Sequence, residues 1–182
     1  MSRLRDPDPV KPVVSVFSAR LELIKQSAVR LEELLGPLDF AGPVLVFDQT
    51  EYYREEMGWP LFKRLLGAER LVDPGELAGI KIQALRIEEE FSREGRRAVN
   101  LDPGYLAMDK LVLATGKSAA HRIYLDRGVW ADLTLIYRSG GFKDLPWTYP
   151  DYRAPETLTA LAGIRKKYLE QLRRKKRGES GT

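Results

Sequence analysis

One stretch of the chain, Val99 to Arg153, carries most of the side chains that could move a proton or hold a ligand. It contains the single histidine, His121, at the start of a predicted strand, and an imidazole titrates near neutral pH. His121 is therefore the first candidate catalytic residue, and Asp102, which could orient a ligand or bind a metal, is the second. The alternatives are a histidine that only makes a structural hydrogen bond and an aspartate that only caps a helix.

The same stretch is rich in groups that bind anions. Asn100, Lys110, Lys117 and Arg122 could together surround a phosphate or carboxylate, with Arg122 making the bidentate contact. Ordinary ion pairs and solvated lysines are the alternative interpretation. We expect a small anionic ligand here.

Aromatic residues end the stretch. Trp147, Tyr149 and Tyr152 could stack on a base or a sugar. Such residues also commonly hold an irregular segment against a sheet, and the sequence leaves both roles open.

A second polar segment, FDQTEYYREEMG, follows a predicted strand that begins at Pro43. Ligand groups often lie at the ends of strands in α/β folds. Thr50, Tyr53 and Glu56 are therefore further candidate ligand-binding residues, and a polar loop covered by tyrosines is the alternative.

Several chemistries are excluded. The chain has no cysteine, so disulfides, thiolate metal sites and cysteine nucleophiles are absent. Thr115-Gly116-Lys117-Ser118 resembles the end of a P-loop, but Leu111 stands where the pattern needs its first glycine, so we expect no P-loop GTP site. A magnesium ion needs only carboxylate and phosphate oxygens, so the sequence allows one without identifying a cofactor.

The net charge of +4 comes from the end of the chain. Five basic residues and one acid lie in 173–182, and removing them from totals of 30 and 26 leaves 25 of each sign. RNA binding through residues 173–177 is therefore a second hypothesis, beside a simple solvated tail. No apolar run is long enough to cross a membrane and no signal peptide is evident, so we expect a cytoplasmic protein.

Hydrophobic spacing predicts the elements that position these residues. Apolar residues three and four apart predict helices over 19–35, 74–92 and 155–172. Ser18 is expected to cap the first, and Asp73 and Glu76 to form a capping box at the start of the second. Strands are predicted at Val13–Phe17, from Pro43 and from Arg96, and a short helix over Pro60–Leu66. Asp102-Pro103-Gly104 is typical of a turn or a helix start. Residues 104–115 fit a helix or a strand equally well.

Two further strands flank Asp126-Arg127-Gly128 as a hairpin. The pattern predicts an α+β fold with a mixed sheet of five or six strands, a β-α-β opening and a hairpin-rich second half. A ferredoxin-like variant fits that order. We expect a disordered N-terminus over 1–11, one domain over 12–172 and a flexible basic tail over 173–182.

Several ordered blocks resemble a family described as an uncharacterised bacterial and archaeal domain of unknown function. They are FDQTEYYREEMG, LVDPGELAGIK, RRAVNLDPGYLAMDKLVLAT, HRIYLDRGVWADLTLIYRSGGF and LPWTYPDY. Members are sometimes labelled GTP-binding protein, but the resemblance implies no activity and no site residue.

The functional hypothesis is therefore a pocket for a phosphorylated or nucleotide-like small molecule, formed where Asp48–Glu56 meets Asn100–Arg122 under Trp147–Tyr152. Whether the protein is an enzyme, and its oligomeric state, stay open. The alternative is an RNA- or protein-binding module that uses the basic tail and exposed aromatic residues without catalysis.

Overall fold

A computed structural model describes residues 3–47 and 54–178. The predicted α+β class is confirmed. The strands are β1 Lys11–Ser18, β2 Leu38–Ala41, β3 Leu45–Phe47, β4 Leu61–Ala68, β5 Asn100–Leu106, β6 Lys110–Thr115, β7 Arg122–Asp126, β8 Val129–Arg138 and β9 Gly141–Asp144. The helices are α1 Leu21–Leu35, α2 Arg54–Met57, α3 Leu77–Phe91, α4 Pro150–Arg153 and α5 Pro155–Lys176.

The first half has the ferredoxin-like arrangement. The strand order is β2-β4-β1-β5-β6-β8-β7, and β3 and β9 pair with β4 and β8. Helix α1 connects β1 to β2 with β4 between them, and α3 connects β4 to β5 with β1 between them. These are two split β-α-β units.

The pairing differs from the mixed sheet that we predicted. Among the described residues, every neighbouring pair of strands is antiparallel. Each crossover helix joins two strands that are parallel to each other, but another strand lies between them in the sheet. The sheet has nine strands in these ranges, rather than five or six.

Helices cover both faces of the sheet. On one face, α1 and α3 pack on β1, β4 and β5, with Val14, Val16 and Leu101 in the shared core. On the other face, α5 packs through Leu161, Ile164 and Tyr168. Strand β1 is buried along its whole length because it lies between these two layers.

Three local predictions are wrong. Residues 61–68 form strand β4 instead of a helix, because the run pairs with β1 and is needed between β1 and β2. Helix α1 begins after Arg20 with no side-chain cap, and the Ser18 hydroxyl donates to the Ala98 carbonyl at 2.8 Å. Asp102-Pro103-Gly104 lies inside β5 and forms no turn.

Two other local predictions are confirmed, and one alternative that the sequence left open is decided. Asp73 and Glu76 form the capping box of a 3₁₀ turn, Pro74–Glu76, that leads into α3. Residues 110–115, which were open between helix and strand, form β6. The hairpin of β7 and β8 turns at Arg127 and Gly128, whose φ angles are 48° and 80°.

The ends of the domain extend past the predicted boundaries. Lys11 already belongs to β1, and Val10 forms a bridge with Val72. Helix α5 continues to Lys176, so the first four residues of the predicted flexible tail are helical. None of the helices in the described ranges combines the length and apolar character that a membrane-spanning helix needs.

Candidate functional site

A cleft opens where β5 and β6 separate. The two strands pair only at Gly104–Leu106, opposite Leu113–Leu111. The N–H and C=O groups of Leu101 point toward β6. Because this direction alternates from one residue to the next along a strand, the backbone of Pro103 also faces β6. The next rung of the ladder would need an N–H group from Pro103, which proline lacks. The strands diverge from this point, and the cleft between them has a volume of about 570 Å³.

The walls of the cleft combine aromatic and charged side chains. Phe17, Phe47, Tyr149 and Tyr152 are the aromatic residues. Charged residues of both signs also line the cleft: Lys81, Glu88, Arg97, Asp102, Lys117, Arg122, Asp132 and Asp151. A mainly apolar cavity with a few convergent polar groups is typical of small-molecule sites, and this cleft has an unusually high share of charges.

Helix α3 supplies two charged side chains that replace the missing strand pairing. Lys81 Nζ donates to the Leu101 carbonyl at 2.8 Å, and Glu88 Oε1 accepts from the Leu101 N–H at 2.7 Å. Both side chains are buried, and each satisfies a backbone group that β6 leaves unpaired. Lys81 and Glu88 therefore hold the cleft open at its floor.

Burial raises the pKa of the Glu88 carboxyl, and Lys81 and the Leu101 N–H act in the opposite direction. The folded protein therefore binds a proton more tightly than the unfolded chain does. Stability from this group is fully present below pH of about 4.5 and falls as the pH rises through the folded-state pKa. Glu88→Gln keeps an oxygen acceptor but does not titrate.

We expect the difference in unfolding free energy, Glu88→Gln minus wild type, to increase between pH 4.5 and pH 7.5. Urea unfolding of both proteins at several pH values in this range measures it. A difference that stays constant or decreases with pH would contradict the assignment.

A chain of polar contacts continues along β5. Asn100 Nδ2 donates to Asp102 Oδ2 at 2.9 Å, and Arg97 donates to Asn100 Oδ1 at 3.1 Å. Arg97 also makes a bidentate pair with Glu56, with both N–O distances at 2.7 Å. This pair is the first cause of the lowered pKa of Glu56. Asp102 Oδ1 lies 3.6 Å from Lys81 Nζ, so Asp102 is a partner in this network and caps no helix.

A buried lysine that the sequence did not reveal lies behind the wall of the cleft and does not itself line the cavity in the described structure. Lys63 on β4 donates to Asp151 on α4. Its ammonium also lies 4.1 Å from the centre of the Tyr152 ring and 5.4 Å from that of Phe17. Burial is the first cause that lowers the pKa of Lys63 and that raises the pKa of the Tyr152 phenol.

Arg122 is already bound within the protein. It donates from Nε to Asp132, from Nη1 to the Lys117 carbonyl and from Nη2 to the Tyr149 hydroxyl, each at 2.9 Å. Three of its five N–H groups are used in this way, so Arg122 organises the rim of the cleft. Exposed Lys117 lies beside it on the loop after β6.

His121 lies behind this rim. Its Nε2 is 3.3 Å from Asp132 Oδ2 but is not aligned for a hydrogen bond. Its ring stacks on Trp147, with 4.9 Å between the centroids and 15° between the planes. Trp147 Nε1 in turn donates to the Leu133 carbonyl at 2.8 Å. His121 and Trp147 are absent from the cleft walls in the described structure, and they support Asp132 and the edge of β8.

Among the described residues, four predicted residues do not line the cleft: Glu56, Lys110, His121 and Trp147. Lys110 lies at the opposite end of β6 from Lys117, with its ammonium 3.4 Å from Asp109. Lys110 and Lys117 are far apart because the six extended residues of β6 separate the two ends of the strand. Thr50 and Tyr53 lie outside the described residues.

The structure brings six predicted residues to one cavity: Asn100, Asp102, Lys117, Arg122, Tyr149 and Tyr152. In the described ranges, no three His, Cys, Asp or Glu residues are arranged as ligands for a metal ion.

The charged residues that we missed had visible sequence signals. Lys81 and Glu88 are seven residues apart and fall in register with Leu77 and Ala84 on the buried side of α3. Lys63 lies between Leu61 and Leu65 on the same side of β4. A charge at an apolar position indicates a buried charge that needs a partner.

Comparison with known sequences agrees with the resemblance described above. No curated protein and no solved structure matches the chain. A family model described as a domain of unknown function, DUF4416, matches residues 8–168. The match covers most of the chain, and the protein belongs to the DUF4416 family.

Proposed function

We propose that the protein binds a small phosphorylated or nucleotide-like molecule in the cleft between β5 and β6. The observation that carries the proposal is the convergence of Asn100, Asp102, Lys117, Arg122 and Tyr149 on one cavity of about 570 Å³. This volume lies in the range of about 300–1,000 Å³ that is usual for small-molecule sites.

The anionic group would bind at the rim. Lys117 is exposed there, and within the described residues Arg122 uses three of its five N–H groups for internal contacts, which leaves two for a ligand. Asp132 holds the guanidinium in place and thereby fixes the direction of those N–H groups. A phosphate oxygen at this position would receive charge-assisted hydrogen bonds.

The uncharged part of the ligand would extend inward. Tyr149, Phe47 and Leu85 provide flat and apolar surface for a base or a sugar. Asp102 lies further in and accepts hydrogen bonds. A ligand with hydroxyl or amino donors would match it, and a plain phosphate ion would use only the rim.

Lys117→Met tests the proposal, and Lys110→Met is its matched control at the far end of β6. At a concentration 100 times its dissociation constant, a bound ligand stabilises the folded protein by about 2.7 kcal/mol. We therefore expect ATP, GTP or ribose 5-phosphate at such a concentration to raise the melting temperature of the wild-type protein by several degrees. Lys117→Met should weaken the affinity about tenfold, because it removes a charged contact, while Lys110→Met should bind as wild type does.

The measurement is a thermal-shift screen followed by calorimetric titration, run with magnesium and with EDTA. The absence of binding by all three ligands, or equal affinities of the two lysine variants, would overturn the proposal. Arg122→Ala is a poorer test than Lys117→Met, because it also leaves the Asp132 carboxylate buried without its main partner.

RNA binding is the second candidate function. Arg173–Lys176 form the exposed last turn of α5, and Arg177 follows directly. Phosphate contacts from this segment would make the affinity fall steeply with salt concentration. Replacement of its basic residues by glutamine, with Leu172 kept in the core, separates this function from binding in the cleft. A cytoplasmic location belongs to both proposals.

A further inference from the structure

We propose that Lys81 and Asp102 form a subsite for a sugar hydroxyl, so that the cleft selects phosphorylated ligands with free hydroxyl groups over their deoxy analogues. This subsite rests on the proposed function and defines its ligand class: a sugar phosphate, either free or as part of a ribonucleotide. Both residues line the cavity, and both have hydrogen-bonding groups that the described protein leaves unused.

Asp102 is the most accessible of the four carboxylates that line the cleft in the described structure. Its side chain is 34% exposed, whereas the other three are at most 11% exposed. Each of those three also accepts from a donor within the protein: Glu88 from the Leu101 N–H, Asp132 from Arg122 and Asp151 from Lys63. Asp102 is therefore the carboxylate that a ligand in the cleft can reach.

The Asp102 side chain is held in position from two sides. Its backbone is paired with β1, where Asp102 lies opposite Ser15. Asn100 is buried, and its Nδ2 donates to Asp102 Oδ2 at 2.9 Å while its Oδ1 accepts from Arg97. The contact with Arg97 fixes which end of the Asn100 amide faces Asp102. One carboxylate oxygen is thus used, and within the described residues Oδ1 accepts no hydrogen bond.

Lys81 supplies donors beside this oxygen. Its ammonium donates to the Leu101 carbonyl at 2.8 Å, and the carboxylates of Glu88 and Asp102 lie 4.0 and 3.6 Å away. Both of these distances are longer than a hydrogen bond. In the described part of the chain, two of the three ammonium N–H groups of buried Lys81 therefore have no acceptor. A ligand oxygen at this point would satisfy one of them.

A hydroxyl group matches this pair because it accepts and donates through the same oxygen. It can accept from Lys81 and donate to Asp102. A phosphate oxygen could only accept, and it would meet the like charge of Asp102. A ligand ammonium could only donate, and it would meet the like charge of Lys81, whose Nζ lies 3.6 Å from the same carboxylate oxygen. The neutral group of a nucleotide or sugar phosphate that does both is a sugar hydroxyl.

Calorimetric titration of the full-length protein with ATP and with 2′,3′-dideoxy-ATP tests the subsite. The two ligands share the base and the triphosphate and differ only in two hydroxyl groups. We expect the wild-type protein to bind ATP at least about tenfold more tightly, because a hydrogen bond to a charged acceptor is a strong one. Ribose 5-phosphate and adenosine, titrated in parallel, show whether the sugar is bound free or within a nucleotide.

Asp102→Ala removes the acceptor, and Asp109→Ala is its matched control. Asp109 lies in the turn between β5 and β6, with its side chain 67% exposed and outside the cleft walls. We expect the ratio of the ATP and dideoxy-ATP affinities to fall close to one in Asp102→Ala and to stay at the wild-type value in Asp109→Ala. A general loss of affinity cancels in this ratio.

Asp102→Asn is a second variant that keeps an acceptor oxygen for Asn100. Its ratio should lie between those of Asp102→Ala and wild type, because a neutral oxygen accepts more weakly than a carboxylate. Circular dichroism and melting temperature check that both variants are folded. If Asp102→Ala does not fold, the ratio measured for Asp102→Asn decides.

Equal wild-type affinities for ATP and dideoxy-ATP, in a protein whose ATP binding depends on Lys117, would overturn the subsite alone. A hydroxyl preference that is unchanged in the Asp102 variants would do the same. The absence of binding by all of these ligands would overturn the subsite together with the proposed function. Binding of adenosine that is lost in Asp102→Ala but unchanged in Lys117→Met would support the subsite and reject the phosphate site at the rim.

Discussion

Asp132→Ala is expected to lower the free energy of unfolding by about 3 kcal/mol or more. The Asp132 carboxylate is 4% exposed and accepts from Arg122 Nε at 2.9 Å and from the Thr134 hydroxyl at 3.3 Å. His121 Nε2 lies 3.3 Å from the same carboxylate. Removal would leave the buried Arg122 guanidinium without its charge partner, and the cost of an unpaired buried charge is large.

Asp126→Ala is the matched control on the same hairpin. Asp126 pairs with Arg127 across 2.8 Å, but both side chains are largely exposed, at 62% and 59%. Such a pair contributes about 0–1 kcal/mol. Urea unfolding of both variants measures the contrast. Equal losses of less than about 1 kcal/mol would show that the Asp132 cluster contributes little to stability.

The Asp132 variant also bears on function. Arg122 would lose the contact that orients it at the rim of the cleft, while Lys117 would stay in place. A ligand that binds through both cations should therefore be weakened in Asp132→Ala even at temperatures where the variant is fully folded.

Gly104→Ala should destabilise the protein about as much as Asp132→Ala does. We expect its free energy of unfolding to fall by about 3 kcal/mol, or the variant to fail to fold. A Cβ atom at this position would lie 2.3 Å from the Val112 carbonyl oxygen and 3.1 Å from the Leu113 Cα. Both are backbone atoms of β6, so neither can move aside as a flexible side chain does. Gly104 is also the last residue at which β5 and β6 pair before they separate into the cleft.

Gly116→Ala is the control for this substitution. Gly116 lies in the loop after β6, and no atom lies within 4 Å of a Cβ built there. We expect its unfolding free energy to stay within about 0.5 kcal/mol of wild type. Soluble yield and urea midpoints report both variants. A Gly104→Ala protein with the wild-type midpoint would mean that β6 can shift without cost at the point of divergence.

Helices α1, α3 and α5 and the hairpin of β7 and β8 could be predicted because their signals are local. Apolar residues three and four apart marked α1, α3 and α5 within a few residues of their observed bounds. The turn at Asp126-Arg127-Gly128 joined two alternating strands, as the structure shows for β7 and β8. The capping box at Asp73 likewise depends on residues within one turn.

Strand β4 could not be recognised in this way. Residues 61–68 are buried or half-buried on both faces of the sheet, and apolar residues lie on both, so the run lacks the clean apolar–polar alternation that distinguishes a strand from a short buried helix. Its identity depends on β1 and β2, which lie about 30 to 50 residues earlier in the chain and pair on either side of it. Asp102-Pro103-Gly104 forms part of a strand instead of a turn for a similar reason. A partner strand that is distant from it in local signal, β6, approaches Gly104 closely.

The sequence by itself determined which charges this protein has and roughly where its helices and strands lie. It also placed Asn100, Asp102, Lys117 and Arg122 in one candidate region, since strands close in sequence carry them. Only the tertiary structure decided which charges are buried and which partners they have: Lys63 with Asp151, Lys81 and Glu88 with the backbone of Leu101, and Arg122 with Asp132. The physical reason is that burying a charge is tolerated only when a partner arrives from another element, and that partner is set by strand order and by the divergence of β5 from β6.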